Sequence, residues 1–217
     1  MALALFDLDG TLIAGDSDYE WGCYLVSIGK VDGEAYAKKN ERFYKEYVKG
    51  ELDIYEFLNF SFKPLAENSY EELCQWRDEY LHSRIKPIIK AKASELIEKH
   101  RSAGDHLALI TATSNFITEP IKDMLNLETL IATEPEISNG NFTGNVKGTP
   151  CFGSGKVTRI KQWINTTAYT LEGSYFYSDS HNDIPLLELV DHPTAVDADA
   201  ALTTHAIKNN WSRLSLK

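Results

Sequence analysis

The chain has 217 residues, 43% hydrophobic and 25% charged, the profile of a globular protein long enough for one core domain carrying a smaller insertion. Its 22 basic and 32 acidic residues leave a net charge of −10 without any dense basic stretch, which argues against nucleic acid or an anionic membrane as partner. No apolar run reaches the roughly 18 residues of a membrane span, no leader precedes Leu3, and Cys23, Cys74 and Cys151 are scattered without CxxC spacing, so the expectation is a cytoplasmic protein with reduced thiols.

In chain order, the first apolar run, Leu3–Phe6, reads as a buried strand and leads into FDLDGTLIAGD (6–16). Asp7 and Asp9 stand two residues apart at its end, followed by Gly10-Thr11. Like charges side by side at the end of a core strand are costly. Either they shape an Asx-type turn, or a cation draws them together and Asp7 attacks an electrophile. Residues 15–86 change character: β-type alternation nearly vanishes, and helical spacing runs through Tyr19–Ile28, Gly33–Val48 and Tyr70–Ile85. They read as a helical insertion after the first strand, which divides the chain into a core of residues 1–14 and 87–217 and a segment of 15–86. Ser17-x-x-Glu20 has the form of a capping box at the first helix.

Ile88–Arg101 predicts a helix stopped by Gly104, and Leu107–Ile110 a second strand that ends in Thr111-Ala112-Thr113. A helix follows over Phe116–Leu125, and PEISNGNFTGNV (135–146) predicts a hairpin turning at Asn139-Gly140. CFGSGK (151–156) opens a helix over Gly155–Ile164 and puts Lys156 at its start, where ammonium and helix N-terminus together suit an anion. It is not a Walker loop, because Pro150 and Val157 stand where Gly and Ser/Thr are required. Tyr175–Tyr177 predicts another strand, running into Ser178-Asp179-Ser180, with Asp183 opening a helix over Ile184–Leu189; Thr194–Val196 is a last strand.

Strands alternating with helices imply a parallel sheet covered on both faces, whose ligands bind beyond the carboxyl ends of the strands. Three polar clusters fall at those ends. If the first strand and the Tyr175 strand are neighbours, Asp7 and Asp179 meet there and, with a backbone carbonyl, make an oxygen site suited to Mg²⁺. Asp183 would then orient the ligands or their waters.

Taken together, the DxDGT stretch at Asp7–Thr11, the strand-ending Thr111, Lys156 and SDSxxD at 178–183 resemble, in that order and over essentially the whole chain, the haloacid dehalogenase-like superfamily of phosphotransferases. The resemblance implies a Rossmann-like core, a helical cap of the C1 type over residues 15–86, and a Mg²⁺-dependent phosphomonoesterase working through an aspartyl-phosphate. Carried over, Asp7 is the nucleophile and Asp9 the general acid and base, its backbone carbonyl also binding the metal. Thr111 and Lys156 hold the transferring phosphoryl group, Asp7 and Asp179 bind Mg²⁺, and Asp183 supports them. Thr11, Ala112, Thr113 and Asp16 complete the substrate contacts. A dehalogenase would need neither Asp9 nor a cation.

Within the superfamily, GDSDYEW (15–21) and KGELDIYEFLN (49–59) look like the phosphoserine phosphatase-related branch, where the position of Asp16 contacts a substrate amine. Helix capping is the structural alternative for Asp16. The cap arginine that would grip a serine carboxylate falls at Asn59, which removes the bidentate grip. LITATSNF (109–116) and GDSDYEW look more like a subgroup that includes histidinol-phosphate phosphatases, whose substrate has an amine and no carboxylate. The expectation is a small phosphorylated metabolite acted on by a monomer or homodimer. Phosphoserine or phosphosugar hydrolysis, phosphosugar mutation and a non-catalytic phosphate-binding role are the alternatives.

Overall fold

A computed structural model describes residues 2–217. Strand β1 (Leu3–Phe6) is apolar on both faces and lies completely buried. It is followed by a tight turn over Leu8–Leu12 and then by helices only: α1 (Ser17–Ser27), α2 (Gly33–Lys49), α3 (Ile54–Ser61), α4 (Lys63–Glu67) and α5 (Tyr70–Tyr80). The core elements then come as α6 (Ala91–Ala103), β2 (His106–Ser114), α7 (Asn115–Met124), β3 (Thr129–Thr133), β4 (Pro135–Ser138), β5 (Asn141–Val146) and α8 (Ser154–Ile164). β6 (Tyr175–Ser178), α9 (Ile184–Leu187), β7 (His192–Val196), α10 (Ala200–Lys208) and β8 (Ser212–Leu214) complete the chain.

Six strands form one parallel sheet in the order β3-β2-β1-β6-β7-β8. From β1 the chain builds outward to one edge through β2 and β3, then returns to β6 and builds to the other. The reversal leaves a crevice beyond the carboxyl ends of β1 and β6, the place where open α/β sheets bind ligands. The expected α/β architecture is met, and the two aspartate-bearing strands are indeed neighbours, Phe6 facing Tyr177 in register.

Alternate residues of β1 divide the core. Leu3 and Leu5 pack with Ile160, Phe176 and Leu187 on one face. Ala4 and Phe6 face the other, in a cluster that continues without a break into the helices through Trp21, Tyr24, Leu58, Phe62 and Tyr80. The segment between β1 and α6 therefore shares an apolar core with the sheet.

Two expected boundaries move, and one expectation is corrected. The helix predicted over Tyr70–Ile85 is α-helical only to Tyr80; Leu81–Ile85 widens into a π-type turn, and Lys86–Ile88 tightens into a 3₁₀ turn around Pro87. β2 does not stop at Ile110, because Thr111, Ala112 and Thr113 are compatible with extended backbone and carry it on to Ser114 through a register shift against β3. The capping box predicted at Ser17 is absent. Asp16 is the cap, its Oδ1 accepting from Tyr19 N at 2.8 Å. The hairpin is as expected, with Asn139 and Gly140 both at positive φ (51° and 82°).

Gly10 carries the sharpest backbone constraint. Its φ is +70°, and a Cβ built there would lie 2.0 Å from Asp179 Oδ2. A Gly10→Ala variant should therefore fold with a lowered thermal midpoint and, if this turn serves catalysis, lose about 10²-fold in kcat, as expected when reacting groups move by about 1 Å. Wild-type turnover in the alanine variant would show that the close approach is dispensable.

Candidate active site

The carboxyl ends of β1, β2 and β6 bring the sequence-predicted residues together. Lys156, buried in the first turn of α8, donates to Asp7 Oδ1 at 2.7 Å and to Asp183 Oδ2 at 2.6 Å. Asp183 also accepts from Ser178 Oγ at 2.7 Å, which fixes its orientation. Thr11 is completely buried; its hydroxyl lies 3.2 Å from Asp179 Oδ1 and 3.5 Å from Asp7 Oδ2, and it accepts from Asp179 N at 3.0 Å. One hydroxyl therefore sits between the two carboxylates that the sequence reading brought together. Asp7 N donates to Tyr177 O at 2.9 Å, tying the acid-bearing end of β1 to β6.

Asp9 turns the other way, toward the helical segment. Its Oδ1 accepts from Ser17 N at 2.6 Å, and its Oδ2 from Thr113 Oγ1 at 3.0 Å, with Thr111 Oγ1 at 3.5 Å. Ser17 Oγ donates to Thr113 Oγ1 at 3.1 Å, closing a small network around this carboxylate. Thr11, Thr111 and Thr113 thus have their hydroxyls engaged by carboxylates, and Ala112 and Thr113 border the open cleft.

The charge balance is one-sided. Five aspartates (7, 9, 16, 18 and 183) line the cleft, with Lys156 as the one cationic side chain among its described lining residues. Burial raises the Asp7 carboxyl above its usual range; the Lys156 charge opposes that rise, and Asp183 and Asp9 add to it. Burial and the Asp16 charge push Asp9 up to about 7 against the Ser17 and Thr113 hydrogen bonds. Burial takes Asp16 up to about 6, the Tyr19 and Asp18 amides opposing. Asp18 is raised well above normal by burial and by Asp16, and Asp179 by burial and by Asp7. For Lys156, burial favours the neutral amine, but Asp183 and Asp7 outweigh it and raise its pKa.

The remaining walls come from the helical segment: Tyr19, Asn40, Phe43, Tyr44, Tyr47, Leu52, Ile54 and Phe57 face Phe152 and Asn182 of the core. Across the cleft, Asn182 Nδ2 lies 3.5 Å from Tyr47 O. Asn59 is exposed and outside the lining. The arginines are occupied elsewhere: Arg42 with Glu56 and Glu46, Arg84 with Glu20, and Arg77 on the Phe116 carbonyl and ring. His181 faces Asp199 at 2.8 Å. The sequence reading missed Asp18, although it lies within the GDSDYEW stretch, and passed over Phe152 and Asn182 inside motifs it quoted. Asn40, in the middle of α2, carries no sequence signal of this kind.

A model of the haloacid dehalogenase-like hydrolases matches residues 4–188. The chain belongs to the haloacid dehalogenase-like hydrolase family. It is 42% identical over 219 residues to a histidinol-phosphatase of Neisseria meningitidis serogroup C (strain 8013), with 99% of each chain covered. A crystal structure of a protein of unknown function from Bordetella pertussis Tohama I superposes with a TM-score of 0.94 at 39% identity, covering 100% of this chain and 99% of the other. A substrate-bound phosphoserine phosphatase shares the fold, with a TM-score of 0.72 at 19% identity over 100% of this chain and 93% of that one. The haloacid dehalogenase-like family and the phosphatase class read from the four motifs are thus both met. No helix among the described residues is long and apolar enough to cross a membrane.

The crowded carboxyls have a measurable consequence. Asp9 and Asp16 sit at about 7 and 6 when folded, against an ordinary 3.8, so the folded state keeps protons that the unfolded chain has released. That stabilisation is fully present below about pH 4 and is lost as pH rises through 6 to 7. With divalent cations chelated, the thermal midpoint should fall between pH 5.5 and 8, and at pH 8 Asp179→Asn should raise it by about 2–4 °C per kcal/mol of repulsion relieved. A flat profile, or a lower midpoint in the variant, would contradict the repulsion.

Proposed function

We propose that this phosphatase hydrolyses a small, amine-bearing phosphomonoester, histidinol phosphate first among the candidates, by way of a phospho-aspartate on Asp7. The observation that carries the reading is the pairing of Asp7 with Lys156 at 2.7 Å, at the floor of a cleft whose outer walls are aromatic and acidic. Asp7 Oδ2, the oxygen not bonded to Lys156, attacks phosphorus. Asp9, close to neutrality in its pKa, donates a proton to the leaving oxygen; as the resulting carboxylate it takes the proton from the water that hydrolyses the acyl phosphate. Lys156 neutralises charge on the phosphoryl oxygens, and Thr111 backs Asp9 at the same strand end. Thr11 and Thr113 act by holding carboxylates.

The donor set fits Mg²⁺. Among the described residues no three His, Cys, Asp or Glu side chains are gathered as a metal cage. Two carboxylates sharing the Thr11 hydroxyl are, however, what a cation that keeps several waters accepts, with the Asp9 backbone carbonyl as a further oxygen. Bound there, Mg²⁺ would relieve the repulsion between Asp7 and Asp179 and offset the negative charge that a phosphate brings to five carboxyls and one ammonium. Residues 15–86 serve as the cap, contributing the specificity wall.

That wall favours a substrate with positive charge and a flat ring. Asp18 and Asp16 offer carboxyls, and Tyr19, Phe43, Tyr44, Tyr47 and Phe57 offer rings, whereas no arginine lines the cleft to take a carboxylate. The 42% identical histidinol-phosphatase supports the same choice over phosphoserine.

A screen of phosphorylated metabolites for inorganic phosphate release, with and without EDTA, tests the reading. Histidinol phosphate should exceed phosphoserine by about 10-fold or more in kcat/KM, and chelation should abolish turnover; a preference for phosphoserine, or isomerised product without phosphate release, would overturn it. Asp7→Asn should cost about 10³-fold or more in kcat with the thermal midpoint retained. Asp18→Asn should raise KM for histidinol phosphate while leaving an aryl phosphate nearly unchanged, and equal effects on both would remove Asp18 from recognition.

A further inference from the structure

Outside the cleft, a second buried ion pair stands against the back of the same turn. Lys90 precedes α6, with its side chain 5% exposed; its Nζ donates to Asp197 Oδ2 at 2.9 Å and also to the carbonyl of Gly10. Asp197 follows β7 at φ +46°. It is held in turn by Ser215 Oγ at 2.7 Å and Leu216 N at 3.2 Å, so the C-terminal segment is part of the arrangement.

Gly10 is therefore fixed at both of its polar atoms. Its N–H donates to Gly15 O at 2.9 Å, and its carbonyl accepts from Lys90. The backbone around it is tied to the same segment: Lys90 N donates to Leu12 O at 3.0 Å, Ala14 N to Ile88 O at 2.7 Å, and Ile13 bridges Ile89. The peptide plane that carries Gly10 N also carries the Asp9 carbonyl, and the Gly10 α-carbon stands against Asp179, so rotation here would move both. A surface lysine could not hold such a carbonyl, since water would compete for it. A buried lysine anchored on a second acceptor can.

We propose that Lys90 is a positioning residue for catalysis: through the Gly10 carbonyl it sets the orientation of Asp9 and the approach to Asp179, and the Asp197 side-chain oxygen that accepts from it anchors its other side. This rests on the phosphatase reading above. The role differs from that of Lys156, which faces the phosphoryl group, since Lys90 touches neither substrate nor the reacting atoms.

Three variants separate this role from that of an ordinary buried ion pair. Lys90→Met leaves Asp197 buried and unpaired and is expected to lose stability. Lys90→Met/Asp197→Asn removes both charges together, keeps a side chain suited to the positive φ, and keeps the fold accessible if the single variant does not fold. Asp197→Asn tolerates the positive φ and leaves the contact between Lys90 and Gly10 in place. The Lys90→Met variants should lose about 10²-fold in kcat on an aryl phosphate with KM within about twofold of wild type, whereas Asp197→Asn should keep kcat within about threefold. Thermal shifts give a second readout that needs no turnover. Orthovanadate with Mg²⁺, which adopts the five-coordinate geometry of the transferring phosphoryl group, should stabilise wild type and Asp197→Asn more than the double variant, while inorganic phosphate stabilises all three alike. A folded double variant with wild-type kcat and an undiminished vanadate shift overturns the role of Lys90 alone. A wild-type protein that neither releases phosphate nor gains stability with vanadate overturns the phosphatase reading beneath it.

Discussion

The site is organised around the Lys156 ammonium, buried between Asp7 and Asp183 at 2.7 and 2.6 Å. Deep burial would ordinarily drive a lysine toward neutrality, and each of these carboxyls would be costly without a counter-charge. Joined as a triad, with Ser178 and Thr11 satisfying further oxygens, they remain in place at the end of the central strands. The sheet order makes this possible. Only neighbours at the reversal of strand order, β1 and β6, could present Asp7 and Asp179 to one shared hydroxyl.

Around that triad the molecule divides its work by charge. On the proposed reading the core supplies the cation for a phosphoryl group, Lys156, and the carboxylates that surround it. The helical segment adds no cation to the cleft; it supplies aromatic rings and two more acids, Asp16 and Asp18. For the amine-bearing substrate proposed above, such a wall would disfavour a carboxylate as much as it grips a cation. The shared apolar cluster from Phe6 to Tyr80 makes the arrangement rigid on the sheet side, and the Tyr80 hydroxyl reaches Ser17 O at 2.7 Å, beside the amide that holds Asp9.

The strand ends were legible in the sequence because an apolar run that stops at an aspartate contradicts its own burial, and chemistry is the commonest resolution. Asp7 and Asp179 were found in that way, Lys156 and Asp183 by their places at helix starts, and the structure brings the four together. The hairpin at Asn139-Gly140 was legible for a different reason, since two successive positive φ angles leave few residue choices. Less accessible were features set by tertiary contact. Thr113 entered as a substrate contact through the family resemblance; what the sequence could not show is that its hydroxyl also donates to Asp9 and accepts from Ser17, 96 residues away in the chain. The Ser17 capping box failed for the same reason: Asp9 captures the Ser17 amide, and Asp16 takes over the cap. β3, α10 and β8 were not foreseen, and α3 and α4 only as part of a helical segment without bounds; they are short, and packing rather than local pattern decides them.

The crowding of acids also explains why this part of the fold could not have been chosen for stability. Asp9 is held near neutrality by burial, beside Asp16, and Asp179 is raised by burial and by Asp7. A protein under selection for stability alone would replace one or two of these groups by apolar or amide side chains of similar volume. Their coexistence is intelligible if the complete set of charges includes a divalent cation and a phosphate, so that the arrangement is balanced only with both bound. On that account the repulsion in the free protein is the counterpart of complementarity in the occupied one, and the rigidity of the Asp7–Thr11 turn keeps the carboxyls from relaxing apart in the interval.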